Sequence, residues 1–179
     1  MPLTHCFDAE TPPATAPPNC GAVLGYIGGP RAARVWTLED WLRFSALRQF
    51  PCYVPTVGTD PVGQAAEAVA LMRARGWRRG RAIVFDLETS ADAAWWHALV
   101  VRVTGLGQLP VAYGSLSTVL GNRAAWNWTA AWDGVPALDA GQSIEATQYA
   151  ANQAYGGTEI DLSVVSAELL GHGGVAART

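Results

Sequence analysis

Two carboxylates separated by one residue, Asp86 and Glu88, close the run Ile83-Val84-Phe85-Asp86-Leu87-Glu88. In an extended strand, side chains two positions apart point to the same face, with Cα atoms roughly 6.5–7 Å apart. The spacing therefore predicts that both acids project together from the end of a buried strand. Close carboxylates repel, which drives one toward its protonated form while the other stays ionised. The result is a proton donor beside a stabilising anion, the pair that hydrolysis of a glycosidic bond requires. The plain alternative is two solvated loop residues, with Glu88 opening the first turn of a helix.

Other acids fall at comparable points of the chain. Asp8 ends the first apolar run, His5-Cys6-Phe7-Asp8, and Asp161 sits within Ile160-Asp161-Leu162. In a closed barrel the first and last strands are neighbours, so Asp8, Asp86, Glu88 and Asp161 would converge on one mouth. Tyr26, Tyr53, Tyr113, Trp132, Gln148 and Tyr149 occupy the same strand ends and are the candidate substrate-binding residues. Aromatic faces stack on the apolar faces of sugar rings, and Tyr hydroxyls and the Gln amide bond to sugar hydroxyls. For any single Tyr the alternative is a core residue whose tip reaches solvent.

Other chemistries find little support. Gly28-Gly29-Pro30 lacks the spacing of a phosphate loop, and Ser115 lies outside a Gly-x-Ser-x-Gly elbow. His5, His97 and His172 show no ligand spacing, and no CxxC is present, so neither a metal nor a cofactor is expected. Cys6 and Cys52 read as buried thiols within strands; pairing of Cys6 with Cys20 is left open.

The elements that must position the acids are legible as short apolar runs between turn residues. The first run ends at Asp8 and is followed by a Pro-rich loop over 11–18; the second covers Ala22 to Ile27. Thr37, with Asp40 three residues on, is a capping pattern for a helix carrying Trp41, Leu42, Phe44 and Leu47 and ending before Pro51. Cys52 to Val57 reads as a strand. Asp60-Pro61 opens a helix in which Ala65, Ala68, Val69 and Met72 recur at three- and four-residue intervals, with Gly76 as its stop. Ala82 to Phe85 is uninterruptedly apolar, as for a strand buried on both faces. Ser90 caps a helix running to Gly105, Leu109 to Tyr113 is a strand, and Leu116 to Arg123 a short helix.

After Ala124 the rhythm changes. Trp126 to Trp132, Ile144 to Tyr149 and Ile160 to Val165 read as strands. Their links, 133–143 and 150–159, are shorter than the dozen or more residues of a full crossover helix. At least one antiparallel pair is therefore expected. About eight strands predict a small TIM-like (β/α) barrel whose helices are reduced in the last third; a full-size barrel takes about 250 residues. The chain is read as one domain over 1–179, with its core at about 4–166 and 167–179 as a tail or short helix. A doubly wound sheet of five or six strands is the rival.

Charged residues make up 15% of the chain and apolar ones 50%, against roughly 25% charged in an average domain. That balance argues for a packed core over disorder. A net charge of −3 with no basic face argues against nucleic acid as a partner. No apolar stretch approaches the roughly 20 residues that span a bilayer, so no membrane partner is expected. The N-terminus lacks the charged-then-apolar pattern of a signal peptide. The protein is thus expected to act where it is made, to leave without a cleaved signal, or to be a module of a longer chain.

Taken in order, Phe7-Asp8, Tyr26-Ile27-Gly28, Tyr53-Val54-Pro55, Phe85-Asp86-Leu87-Glu88, Val111-Ala112-Tyr113-Gly114-Ser115, Ala131-Trp132, Thr147-Gln148-Tyr149 and Ile160-Asp161-Leu162 carry a resemblance. The chain resembles a glycoside-hydrolase-like family of unknown function, found mainly in actinobacteria and their phages. That family is similar to the family 25 (Chalaropsis-type) lysozymes. The resemblance extends from about Cys6 to Val165. It implies that Glu88 is a general acid/base, that Asp86 stabilises positive charge or orients substrate, and that Asp8 and Asp161 complete an acidic mouth. It also implies the β-1,4 bond of peptidoglycan as substrate. Two departures stand out: Thr147 occupies a usual Trp position, and Cys-Phe-Asp-Ala replaces Gly-hydrophobic-Asp-hydrophobic-Ser on the first strand. The functions in play are a glycosidase, a catalytically silent carbohydrate- or wall-binding module, and a structural domain of a larger phage or secretion-like assembly. In the first two the partner is peptidoglycan or another polysaccharide.

Overall fold

A computed structural model describes residues 3–87, 89, 91–122, 126–138 and 144–177. Glu88, Ser90 and Arg123 lie outside the described residues. The elements are β1 (Thr4–Asp8), β2 (Cys20–Gly28), α1 (Leu38–Arg43), β3 (Arg48–Tyr53), α2 (Pro61–Ala74), β4 (Ala82–Asp86), α3 (Ala93–Gly105), β5 (Leu109–Gly114), α4 (Leu116–Asn122), β6 (Asn127–Ala130), β7 (Ile144–Tyr155), β8 (Thr158–Val165) and α5 (Ala167–His172). The strands close into a barrel in sequence order. Each of β1 to β6 is parallel to the next, and β8 enters antiparallel to both β7 and β1. The α/β barrel expected from the alternation of strands and helices is the fold.

Strand parity sorts the apolar residues into two cores. Cys6, Leu24, Phe50, Val84, Val111 and Trp128 fill the barrel interior. Their strand neighbours Phe7, Val23, Ile83, Phe85 and Ala112 face outward and meet Met72 of α2 and Leu99 of α3. The helices start where side chains satisfy their first N–H groups. Thr37 and Asp40 form a reciprocal capping box on α1 at 2.9 and 3.2 Å. Asp60 accepts from Val62 and Gly63 at the start of α2. The N-cap of α3 is Asp92, which accepts from the Trp95 N–H at 2.8 Å, two residues beyond the expected Ser90.

Several boundaries differ from the sequence reading. Helix α1 stops at Arg43, and the next strand covers Arg48–Tyr53 instead of Cys52 to Val57. Phe50 and Cys52 are needed inside the barrel, and buried Gln49 ties the segment down by donating to Trp41 O (2.7 Å) and accepting from Ala176 N (2.6 Å). Pro51, which has no N–H, is tolerated because it pairs with Gly25 of β2 before the ladder with β4 begins at Cys52. The segment 150–159, expected as a loop, is instead the end of β7, a turn and the start of β8. Gly156 and Gly157 have φ of 57° and 83°, the positive pair that a tight hairpin turn needs. Among the described residues, beyond the register of Asp8 and Asp161, β7 and β8 pair only with each other. This hairpin leans on the Pro-rich loop through Tyr155 Oη to Ala16 O (2.9 Å) and Thr158 Oγ1 to Thr11 O (3.2 Å).

The connection from β2 to α1 crosses the barrel end and is held on both sides. Val54 N donates to Gly28 O at 3.1 Å, and Trp36 N donates to Tyr26 O at 2.8 Å. The Trp36 indole donates to Ala9 O at 3.0 Å. Gly29 permits this closeness: its φ is 112°, and a Cβ there would lie 2.2 Å from Val54 O. Gly29→Ala is accordingly expected to lower the unfolding free energy by about 3 kcal/mol. Urea denaturation checks this, the midpoint falling at unchanged slope.

Candidate active site

Each strand that reaches the mouth ends its inward-facing row with a polar residue. On β1, Asp8 stands two beyond Cys6; on β2, Tyr26 two beyond Leu24; on β4, Asp86 two beyond Val84. Tyr113 follows Val111 on β5, and Gln148 follows Ala146 on β7. Because β8 runs the other way, Asp161 reaches the same level from its early part, directly opposite Asp8 in the antiparallel register. Three of the four expected acids therefore meet above the apolar interior, at the C-terminal end of the parallel strands where barrel enzymes build their sites. The position of Glu88 lies outside the described residues.

Burial governs the electrostatics. Asp8 is 6% exposed, and among the described residues its Oδ2 has no hydrogen-bond partner. Burial, then the charges of Asp161 and Asp86, hold the Asp8 carboxyl well above the usual carboxylate range. Asp161 is also raised, chiefly by burial, although bonds from Asn152 N and Gln148 oppose the shift. The same field keeps Tyr26 and Tyr113 protonated: burial raises both, with the Asp8 charge next in order. Beneath them, Cys6 and Cys52 are raised by burial and by the nearby acids, so these thiols are neutral packing groups.

A chain of hydrogen bonds with one possible polarity orients Asp161. The Tyr113 hydroxyl donates to Gln148 Oε1, which fixes the amide so that Nε2 donates to Asp161 Oδ2. The Asn152 N–H donates to Asp161 Oδ1 at 2.7 Å. Gln148 is 1% exposed and acts wholly through these contacts. Its carbonyl also accepts from the N–H groups of Ala131 and Trp132, at 3.0 and 3.2 Å. Trp132 is held there at φ 53° with 65% of its surface exposed, a left-handed conformation rare for a bulky residue. It presents a bare aromatic face at the rim.

Two candidate residues are not brought to the mouth. Tyr53 faces outward from β3; it is fully buried beside Phe85, and its hydroxyl donates to Glu67 of α2 at 2.7 Å. Tyr149, one residue past Gln148, has the opposite parity and stands on the outer wall with its hydroxyl 3.2 Å from His5 Nδ1. There it lines an apolar hollow of about 310 Å³ with Pro17, Cys20 and Ile160. That hollow is larger than those of the mouth, but Asp8, Asp86 and Asp161 do not line it.

The mouth itself consists of two adjoining hollows. One, of about 240 Å³, is lined by Asp8, Glu10, Tyr26, Asn152, Glu159 and Asp161. The other, of about 170 Å³, is lined by Glu10, Tyr26, Arg31, Arg34, Val54 and Asp86. Glu10, Glu159, Arg31, Arg34 and Asn152 were not among the sequence candidates. Glu10 and Glu159 were within reach of the same spacing rule, since Asp8-Ala9-Glu10 and Glu159-Ile160-Asp161 repeat the carboxylate-x-carboxylate pattern of Asp86-Leu87-Glu88. Among the described residues, no group of three or more His, Cys, Asp and Glu side chains could hold a metal ion.

Neither family models nor curated protein sequences match the chain. Its likeness to known proteins lies in the fold. An uncharacterised B. stearothermophilus protein aligns at a TM-score of 0.77 and 16% identity, over 93% of this chain and 98% of that one. The modular autolysin LytC of Streptococcus pneumoniae, solved with a synthetic peptidoglycan ligand, aligns at 0.67 and 14% identity, over 90% of this chain and 46% of LytC. A family 25 glycosyl hydrolase from Bacillus anthracis aligns at 0.62 and 15% identity, over 87% and 83%. The barrel is thus of the kind seen in family 25 glycosyl hydrolases. At these identities the likeness extends to the fold alone.

The raised Asp8 gives a stability signature. Free aspartate titrates near about 3.9, so above that pH the unfolded chain loses the Asp8 proton while the folded protein retains it until its higher value is passed. Wild-type stability therefore falls as pH rises through that window. Asp8→Asn cannot titrate and is expected to melt above wild type at pH 7, the gap closing as pH approaches about 4. Thermal melts of both proteins across this range check the sign.

Proposed function

We propose that this protein hydrolyses a cell-wall glycan, and specifically the β-1,4 bond of peptidoglycan in the manner of a muramidase. The observation that carries this reading is the convergence of Asp8, Asp86 and Asp161 on two adjoining hollows at one end of the barrel. Glu88, two residues beyond Asp86, is the general acid that protonates the leaving oxygen, and it acts as base for the incoming water. Asp86 stabilises the positive charge that develops on the sugar ring. Asp8, kept neutral by its surroundings, donates a hydrogen bond to the bound glycan, and Asp161, oriented by Gln148, accepts one. Trp132 is the platform on which a ring stacks. Support also comes from the barrel shared with LytC, which was solved with a peptidoglycan ligand, and with a family 25 glycosyl hydrolase.

Glu88→Gln is expected to abolish release of reducing ends from purified peptidoglycan, with circular dichroism unchanged. Asp86→Asn is expected to lower it by at least about 100-fold. If wild type releases no more than Glu88→Gln, the hydrolase reading fails. Retained binding to the wall would then identify a silent carbohydrate-binding module, and loss of binding a structural part of a larger assembly.

A further inference from the structure

Charge is divided unevenly across the mouth. Among the described residues, the larger hollow is lined by four carboxyl groups, those of Asp8, Glu10, Glu159 and Asp161, and by no basic side chain. The smaller one carries the guanidinium groups of Arg31 and Arg34 beside Asp86 and Glu10. Among the described lining residues, an anionic group on a ligand meets only carboxyl groups as charged neighbours in the first hollow, whereas the second offers it guanidinium donors beside two carboxyl groups. A guanidinium presents its donors in a planar fork that matches a carboxylate. A phosphate dianion is less well suited, because Asp86 and Glu10 stand at the same wall. Arg34 is oriented by an Nη1–H bond to Thr11 Oγ1 at 3.2 Å, one of the five donors of its fork.

The segment that bears both arginines is built before any ligand arrives. Arg31 N donates to Val54 O at 3.4 Å, Ala32 N to Gly29 O at 3.1 Å, and Trp36 N to Tyr26 O at 2.8 Å. The backbone is therefore fixed at both ends, which reduces the ordering cost of binding. At about 170 Å³ the hollow has room for a carboxylate-bearing substituent on a sugar.

We infer that Arg31 and Arg34 form a subsite for a carboxylate carried by the glycan, so that the protein selects an acidic sugar and fixes its direction across the mouth. This rests on the glycan reading above and adds the charge of the substrate and the residues that recognise it. The carboxylate has two possible sources, a lactyl ether on an N-acetylmuramic ring or the acid of a uronic sugar.

Isothermal titration at low salt tests the inference on Glu88→Gln protein, so that no probe is consumed. Three tetrasaccharides serve as probes: one of N-acetylglucosamine only, a peptide-free one alternating N-acetylglucosamine with N-acetylmuramic acid, and one from hyaluronan. At least one acidic probe is expected to bind about tenfold more tightly than the neutral one, and which of them does so identifies the source. Adding Arg31→Gln and Arg34→Gln brings that ratio close to one, whereas Arg34→Lys alone, which keeps the charge and loses the fork, retains part of it. Thermal melts confirm that the variants fold. Equal binding of neutral and acidic probes, or a ratio that survives the double substitution, overturns the subsite and leaves the glycan reading standing. Binding of none of the three overturns both.

Discussion

The antiparallel entry of β8 is the constraint from which the site follows. A strand returning in the opposite direction needs no helical crossover, which lets a short chain close its barrel. It also places the beginning of that strand, and not its end, at the mouth. Asp161 thereby comes to face Asp8 across the seam. Were β8 parallel like its neighbours, the early part of the strand would lie at the opposite end of the barrel, far from Asp8. The acidic cluster is a product of strand direction as much as of residue type.

That cluster sits on a layer with little capacity to solvate it. Cys6, Leu24, Val84, Val111 and Trp128 lie directly below, and charge held above an apolar layer is costly unless neutralised or bonded. Asp161 is relieved by two donated hydrogen bonds, whereas Asp8 is relieved by keeping its proton. Burial raises the two tyrosines beside them as well, and Tyr113 donates its hydroxyl hydrogen bond to Gln148. A group strained in this manner lowers stability at neutral pH, a common trade where activity requires a poorly solvated acid.

Much of the architecture could be read from the chain because parity and periodicity are local properties. The apolar run before Asp86, the capping pattern at Thr37 and the spacing in α2 each point to one element, and each is found there. Boundaries set by distant partners could not be read in that way. Helix α1 ends early because Gln49 is claimed by Trp41 and Ala176, the latter 127 residues away. Gly156-Gly157 is a turn signal in its own right, but the polar residues around it masked the hairpin. Reasoning about strand ends brings Asp8, Asp86 and Asp161 to one end of the barrel, where they lie. Tyr53 and Tyr149 fell out because one step in register turns a side chain to the other face. Arg31 and Arg34 lie on a connection whose course depends on contacts with Val54, Tyr26 and Ala9, and nothing nearby in sequence announces it.

The exposure of Trp132 has an optical consequence. Six of the eight tryptophans, at positions 36, 41, 77, 95, 96 and 128, are 0–6% exposed, and Trp126 is half-buried, whereas Trp132 is 65% exposed. Buried indoles emit toward the blue and a hydrated one toward the red, so the long-wavelength edge of the emission spectrum belongs mainly to the ring at the mouth. Because its backbone hangs on the carbonyl of Gln148, whose amide orients Asp161, that edge reports on the rim and on the acid beneath it together. The molecule carries its own fluorophore just past the end of β6, tied through Gln148 to the acidic end of the barrel.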